Sequence, residues 1–143
     1  MKAVVVIESS GATDQLARRV AQQLPGPTVQ VPFDTLATEW VITPPADATA
    51  VASTAAMMAK LLVAGYVKGG FSVVLHGPLG ASDASAGQEI VRLMRAARGV
   101  RTLHVHSGSA QSALELQLDP VTMDVTSAAA AIIARIHADL AHG

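Results

Sequence analysis

The chain has 143 residues, which suits one domain with a single buried core. Half of it is hydrophobic and 15% is charged, with a net charge of -1 and scattered basic residues, which argues against a nucleic-acid or membrane surface. There is no cysteine, so disulfides and cysteine-based zinc sites are excluded. No uninterrupted apolar run reaches the roughly 18 residues of a spanning helix. The start, "MKAVVVIE", lacks the cleavage region of a signal peptide. The expectation is a soluble cytoplasmic protein.

Residues 3–7 (AVVVI) are continuously apolar and β-branched, which predicts a strand buried on both faces. Leu16, Val20 and Leu24 follow at helical spacing, in a helix over about residues 12–24 stopped by Pro25-Gly26-Pro27. "TVQVPF" (28–33) reads as a second strand, and residues 34–49 as a short helix and loop. Residues 50–67, rich in Ala, Met and Leu, predict a helix that ends at Gly69-Gly70. "FSVVLH" (71–76) is a third strand, "GPLGASD" (77–83) a loop, and residues 84–97 a helix. "VRTLHVH" (100–106) is a fourth strand, "SAQSALELQL" (109–118) a helix, and "VTMDV" (121–125) a short fifth strand. Residues 127–141 form the closing helix.

Strands alternate with helices five times, which implies an α/β domain: a parallel sheet covered on both faces through right-handed crossovers. Ligands of such sheets bind beyond the carboxyl ends of the strands. Those ends carry Glu8, Ser9 and Ser10; Asp34; His76; His106 and Ser107; and Asp124.

Several segments resemble the P-loop kinases, and within them the chloramphenicol-phosphotransferase-like small-molecule kinases. "LARRVAQQLPGPTVQVPFDTLATEW" is similar to that group's first helix, second strand and Asp-Thr pair. "VAGYVKGGFSVVLHGPLG" is similar to its third strand, and "VTMDVTSAAAAIIARI" to its last strand and helix. The resemblance implies a three-layer α/β/α domain with a five-stranded parallel sheet in the order 2-3-1-4-5. It also implies that Asp34 acts as general base beside a substrate hydroxyl, and that Trp40 stands in the wall of the acceptor site.

The chain departs from that family at its phosphoryl-transfer parts. The intact loop, G-x-x-x-x-G-K-[S/T], uses backbone N–H groups and a lysine on the phosphates and a hydroxyl on Mg²⁺. The corresponding "ESSGATDQL" keeps Gly11 and has no lysine, with Thr13 or Asp14 at or beside its place. His76 replaces the metal-side acid after the third strand, and "SALELQLDP" has none of the lid arginines. Three losses together argue against ATP-Mg as a cofactor.

The candidate groups are each weighed against a structural reading. Asp34 is a base, or it caps the helix that begins at Thr35. His76 exchanges protons in the crevice, or it is a structural histidine. The order 2-3-1 puts His76 between Asp34 and the Glu8-Ser9-Ser10 loop, where a serine–histidine–carboxylate arrangement is conceivable. Glu8 accepts a hydrogen bond from substrate, pairs with His76, or is a solvated acid. His104 and His106 share a strand face and could hold a metal, but no third ligand is obvious, so no metal is expected. His106 alone suits a pocket. Trp40 stacks on a substrate ring or anchors the core. Met57-Met58 is expected in the core or in a contact between two copies, a homodimer. His137 and His142 are expected on the surface.

The leading reading is a divergent metabolite enzyme that has abandoned ATP. Asp34 and His76 perform acid–base work, and Glu8, Ser9, Ser10, Trp40 and His106 bind the small-molecule ligand. The alternatives are a non-catalytic pseudokinase that binds a ligand or partner, a phosphotransferase with relocated nucleotide contacts, and a flavodoxin-like protein. The last rests on the start "MKAVVVIESSGAT", which resembles loops that cradle FMN.

Overall fold

A computed structural model describes residues 2–79, 86–120 and 122–142. Part of the expected loop 77–83 and the first residue of the expected strand 121–125 fall outside them.

Strand β1 (Lys2–Glu8) is the middle of the sheet, and Val4, Val5, Val6 and Ile7 are fully buried. An unbroken β-branched run suits a strand covered on both faces. Helix α1 (Asp14–Gln23) buries Leu16, Ala17 and Val20. It ends before Pro25, and Gly26 takes φ +77°, a turn that favours glycine. Strand β2 (Thr28–Pro32) leads into a π-helical turn, Thr35–Glu39. Helix α2 (Ala48–Lys68) starts at Asp47, whose carboxylate accepts from the Thr49 amide (3.0 Å) and hydroxyl (2.7 Å). Strand β3 (Ser72–Gly77), helix α3 (Ala86–Arg95), strand β4 (Val100–His106), strand β5 (Glu115–Gln117) and helix α4 (Val125–His142) complete the chain.

The five strands are all parallel, in the order β2-β3-β1-β4-β5. This is the expected order, and it is not the 2-1-3-4-5 of flavodoxins, so the flavodoxin-like alternative falls. Two cores flank the sheet. One joins Val4, Val6, Val73 and Leu75 to α2 and α3; the other joins Val5, Ile7, Leu103 and Val105 to α1 and α4.

Two expected elements are corrected. The segment 109–118 is not a helix, and the fifth strand lies within it, at Glu115–Gln117, not at 121–125. The edge of β4 needs a partner. His104 N donates to Leu114 O and Leu118 N donates to His106 O, both at 2.8 Å. Those ladder bonds outweigh the modest helix preference of Ala, Leu and Glu. Asp124, expected at a strand end, instead opens α4. Its carboxylate accepts from the Thr126 amide (3.1 Å), the Ser127 amide (3.2 Å) and the Ser127 hydroxyl (2.6 Å).

Among the described residues one helical stretch, Thr49–Lys68, is long and apolar enough to cross a membrane by length and composition. It lies along the sheet with Ala55, Ala59 and Val63 in the core. Met57 and Met58 are exposed, at 59% and 43%, which removes them from the core and leaves the subunit-contact reading. His137 is exposed, as expected, while the side chain of His142 is outside the described residues.

Gly77 ends β3 at φ +131°, and a Cβ there would lie 3.1 Å from Phe33 Cβ. Gly77→Ala combines backbone strain with that close approach. It is expected to lower unfolding stability by about 1–3 kcal/mol, measured by urea denaturation.

Candidate functional site

A cleft of about 250 Å³ opens beyond the carboxyl ends of β1, β2 and β3. The loop Gly11–Asp14, Asp34, Glu39 and His76 line it. Two residues expected to act together, Asp34 and His76, are thus in one cleft, and His76 stands between β2 and β1 as expected.

His76 is 2% exposed and sits under the loop. Its Nδ1 lies 2.8 Å from Thr13 Oγ1, and its Nε2 lies 3.1 Å from Gln30 Nε2. The Gln30 amide nitrogen also donates to the Asp14 carbonyl at 3.2 Å, which fixes that nitrogen as the donor end. The amide therefore donates to His76 Nε2. The imidazole proton is then on Nδ1, donating to Thr13 Oγ1, and the Thr13 hydroxyl keeps its own proton for a partner in the cleft. Burial lowers the His76 pKa below its ordinary 6.5, while the charges of Asp14 and Asp34 pull part of the way back. A neutral imidazole positioning Thr13 is the result, not a freely exposed base.

Asp34 precedes the π-helical turn without capping it by its side chain, so its carboxylate is not used up as a helix cap. Asp14 is 81% exposed in the first turn of α1, where a negative charge suits the helix dipole. Glu39 accepts from the Thr35 hydroxyl at 3.3 Å.

Several expected binding residues stand elsewhere. Ser9 Oγ accepts from the Gly11 amide at 3.1 Å and shapes the loop itself, while Ser10 is exposed; neither lines the cleft. Trp40 is 65% exposed, neither a core anchor nor in the cleft lining, because the π-helical turn ends before it. Glu8 does not pair with His76. Ile7 is the residue opposite His76, so the strand pleat turns Glu8 to the other face of the sheet.

On that other face Glu8 meets a different histidine. Glu8 Oε2 lies 3.7 Å from His104 Nε2. His106, also expected in the first cleft, is in this second group, where its Nε2 lies 2.6 Å from Glu115 Oε1. The Gly108 amide donates to His106 Nδ1 at 3.1 Å, so the His106 proton is on Nε2 and is donated to Glu115. Glu115 is 3% exposed. Burial alone would raise its pKa. Hydrogen bonds from His106, the Gln111 amide and the Gln88 side chain overcome that and bring it to about 2. A cavity of about 270 Å³, lined by His104, Glu115, Gln88 and Arg92 among others, adjoins the group.

Gln30 and Glu115 were not singled out from sequence, and Thr13 was named there only as one of two residues at or beside the missing lysine's place. The strict alternation of "LELQL" (114–118) is the strand pattern that could have exposed Glu115. Gln30 likewise shares its strand face with His76, two positions on, as the pairing Gln30 to Val74 and Pro32 to His76 requires.

Compared with known protein families and with curated proteins, the chain matches none.

Because folding depresses the His76 pKa, the unfolded chain takes up this proton at a higher pH than the folded one. The stabilising contribution is complete above about pH 6.5 and is lost as pH falls through the lower folded-state value. Urea denaturation from about pH 7.5 to about pH 5 should show stability declining, with at most about 1.4 kcal/mol per pH unit from this residue. His76→Gln should flatten that part of the slope.

Proposed function

We propose that this protein is a divergent cytoplasmic enzyme acting on a small molecule, built on a frame related to the P-loop kinases, that performs acid–base chemistry in the Asp34–Thr13–His76 cleft without using ATP. The strand order and the one-domain α/β plan support the relationship. The charge of the cleft carries the functional reading. Asp14, Asp34 and Glu39 supply three carboxylates, and no lysine or arginine is among the described residues lining it.

A triphosphate brought there meets like charges. At 4 Å and a near-surface dielectric, each unit pair costs about 4 kcal/mol. Asp14 already occupies the first turn of α1, the region where an anionic ligand would otherwise gain from the helix N-terminus. A ligand bearing hydroxyl or amino groups meets acceptors instead. Thr13 donates a hydrogen bond to the substrate, His76 holds Thr13 in place, and Asp34 takes a proton from a substrate hydroxyl or ammonium. His76 thus works through Thr13 as a positioning residue.

A second reading, a non-catalytic binding role for the same cleft, is favoured by the engagement of both His76 ring nitrogens within the fold. Ligand-induced shifts in thermal midpoint and turnover together separate the readings, since a ligand of the folded state raises the midpoint. ATP with Mg²⁺ is expected to leave the midpoint unchanged, while members of a panel of sugars, amino alcohols and nucleosides raise it. For a substrate found in that panel, Asp34→Asn should reduce kcat by about 10²–10⁴-fold. His76→Gln should act more weakly and mainly on KM. A saturable rise with ATP–Mg²⁺ would sink the loss of nucleotide use. Ligand shifts without turnover of any compound would favour the binding role.

A further inference from the structure

The second group of polar side chains is independent of that cleft, on the opposite face of the sheet. We propose that His104, His106 and Glu115, with Glu8 beside them, form a binding site for a divalent transition-metal ion of the zinc class.

The register assembles the ligands. His104 is opposite Val6 on β1 and opposite Glu115 on β5. Glu8 lies two residues beyond Val6, and His106 two beyond His104, so the pleat points all four side chains to the α3 side. One ligand atom from each of His104, His106 and Glu115 lies within 4.8 Å of the others. Small shifts bring such atoms to the roughly 2.0–2.2 Å metal distances of imidazole and carboxylate ligands.

A second observation points to a missing partner. His104 is 2% exposed, yet among the described residues neither of its ring nitrogens has a hydrogen-bond partner, and the buried Glu8 Oε1 has none there either. Buried polar atoms are ordinarily satisfied, and leaving them bare is costly. Room for the ring is provided at Gly87 of α3, where a Cβ would lie 2.5 Å from His104 Nε2. The imidazole is therefore accommodated by a glycine with its coordinating nitrogen unused.

The surroundings also match. Gln88 Nε2 donates to Glu115 Oε1 and the Gln111 amide to Oε2, both at 2.8 Å, which orients the carboxylate as partners of metal ligands do. The adjoining cavity offers an entry path and space for a water ligand. Two imidazoles and carboxylates without thiolate suit Zn²⁺, Co²⁺, Ni²⁺ or Mn²⁺ more than Mg²⁺ or Ca²⁺, which prefer all-oxygen sets. On loading, the His106 proton moves from Nε2 to Nδ1 through solvent. The exposed Gly108 amide then turns to water, and Glu115 exchanges that proton for the ion.

The test uses the full chain, freed of metal by a chelator and titrated with Zn²⁺ by calorimetry and Co²⁺ by visible absorption. One ion per chain is expected, with the intense d–d bands of low-coordinate cobalt and a raised thermal midpoint. His104→Ala and the near-isosteric Glu115→Gln should each weaken Zn²⁺ binding by at least about 10-fold. His137→Ala, on the exposed side of α4, should leave it unchanged. Circular dichroism checks that the variants fold. Absence of Zn²⁺ and Co²⁺ binding by the native chain overturns the site, whatever the variants do. So does binding unaffected by Glu115→Gln, or equally reduced by His137→Ala.

Discussion

The pleat of β1 between its two parallel neighbours governs which face of the sheet Glu8 and the histidines of β3 and β4 take. Ile7 opposite His76 and Val6 opposite His104 are consecutive pairs, and consecutive residues of a strand face opposite ways. The imidazole of β3 therefore falls to the α1 side and that of β4 to the α3 side. A slip of one residue on either strand would turn that strand's imidazole to the other face and drive apolar neighbours out of the cores. The burial of Val4 to Ile7 opposes such a slip, since both faces of the strand are committed to packing.

Two polar centres result, of different electrostatic character. On the α1 side a neutral imidazole lies beneath a hydroxyl, and carboxylates ring the opening without a cation among the described lining residues. On the α3 side histidines and glutamates are interleaved in a buried group, with Arg92 in the wall of the neighbouring cavity. Burial acts on the two sides in opposite ways. It keeps His76 uncharged, whereas at Glu115 three hydrogen bonds outweigh it and keep the carboxylate ionised. The number and direction of donors, not depth alone, decide the charge state.

Much of this was readable in advance. The alternation of β-branched runs with amphipathic segments led to the parallel sheet, and the ends of the first four strands lie within a residue or two of where the patterns put them. The shared face of His104 and His106 followed from their spacing. Glu115 did not follow, because its neighbours are good helix formers and only the open edge of β4 makes them a strand. Of the three readings of Glu8, the pairing with His76 fails and none names His104, since lateral register cannot be inferred from one strand at a time. For Trp40 the resemblance implies a place in the acceptor-site wall and its type a stacking or anchoring role, but the turn before it leaves it exposed.

By itself the sequence determined the α/β class, the run of buried strands, and the lack of a lysine in the first loop, because these depend on local composition and on periods of two and 3.6 residues. The tertiary structure decided which polar groups meet. Thr13 reaches His76 across 63 positions, and Glu8 reaches His104 across the sheet. Those meetings depend on strand order, register and the absence of a side chain at Gly87, which only the packed sheet and helices bring into effect.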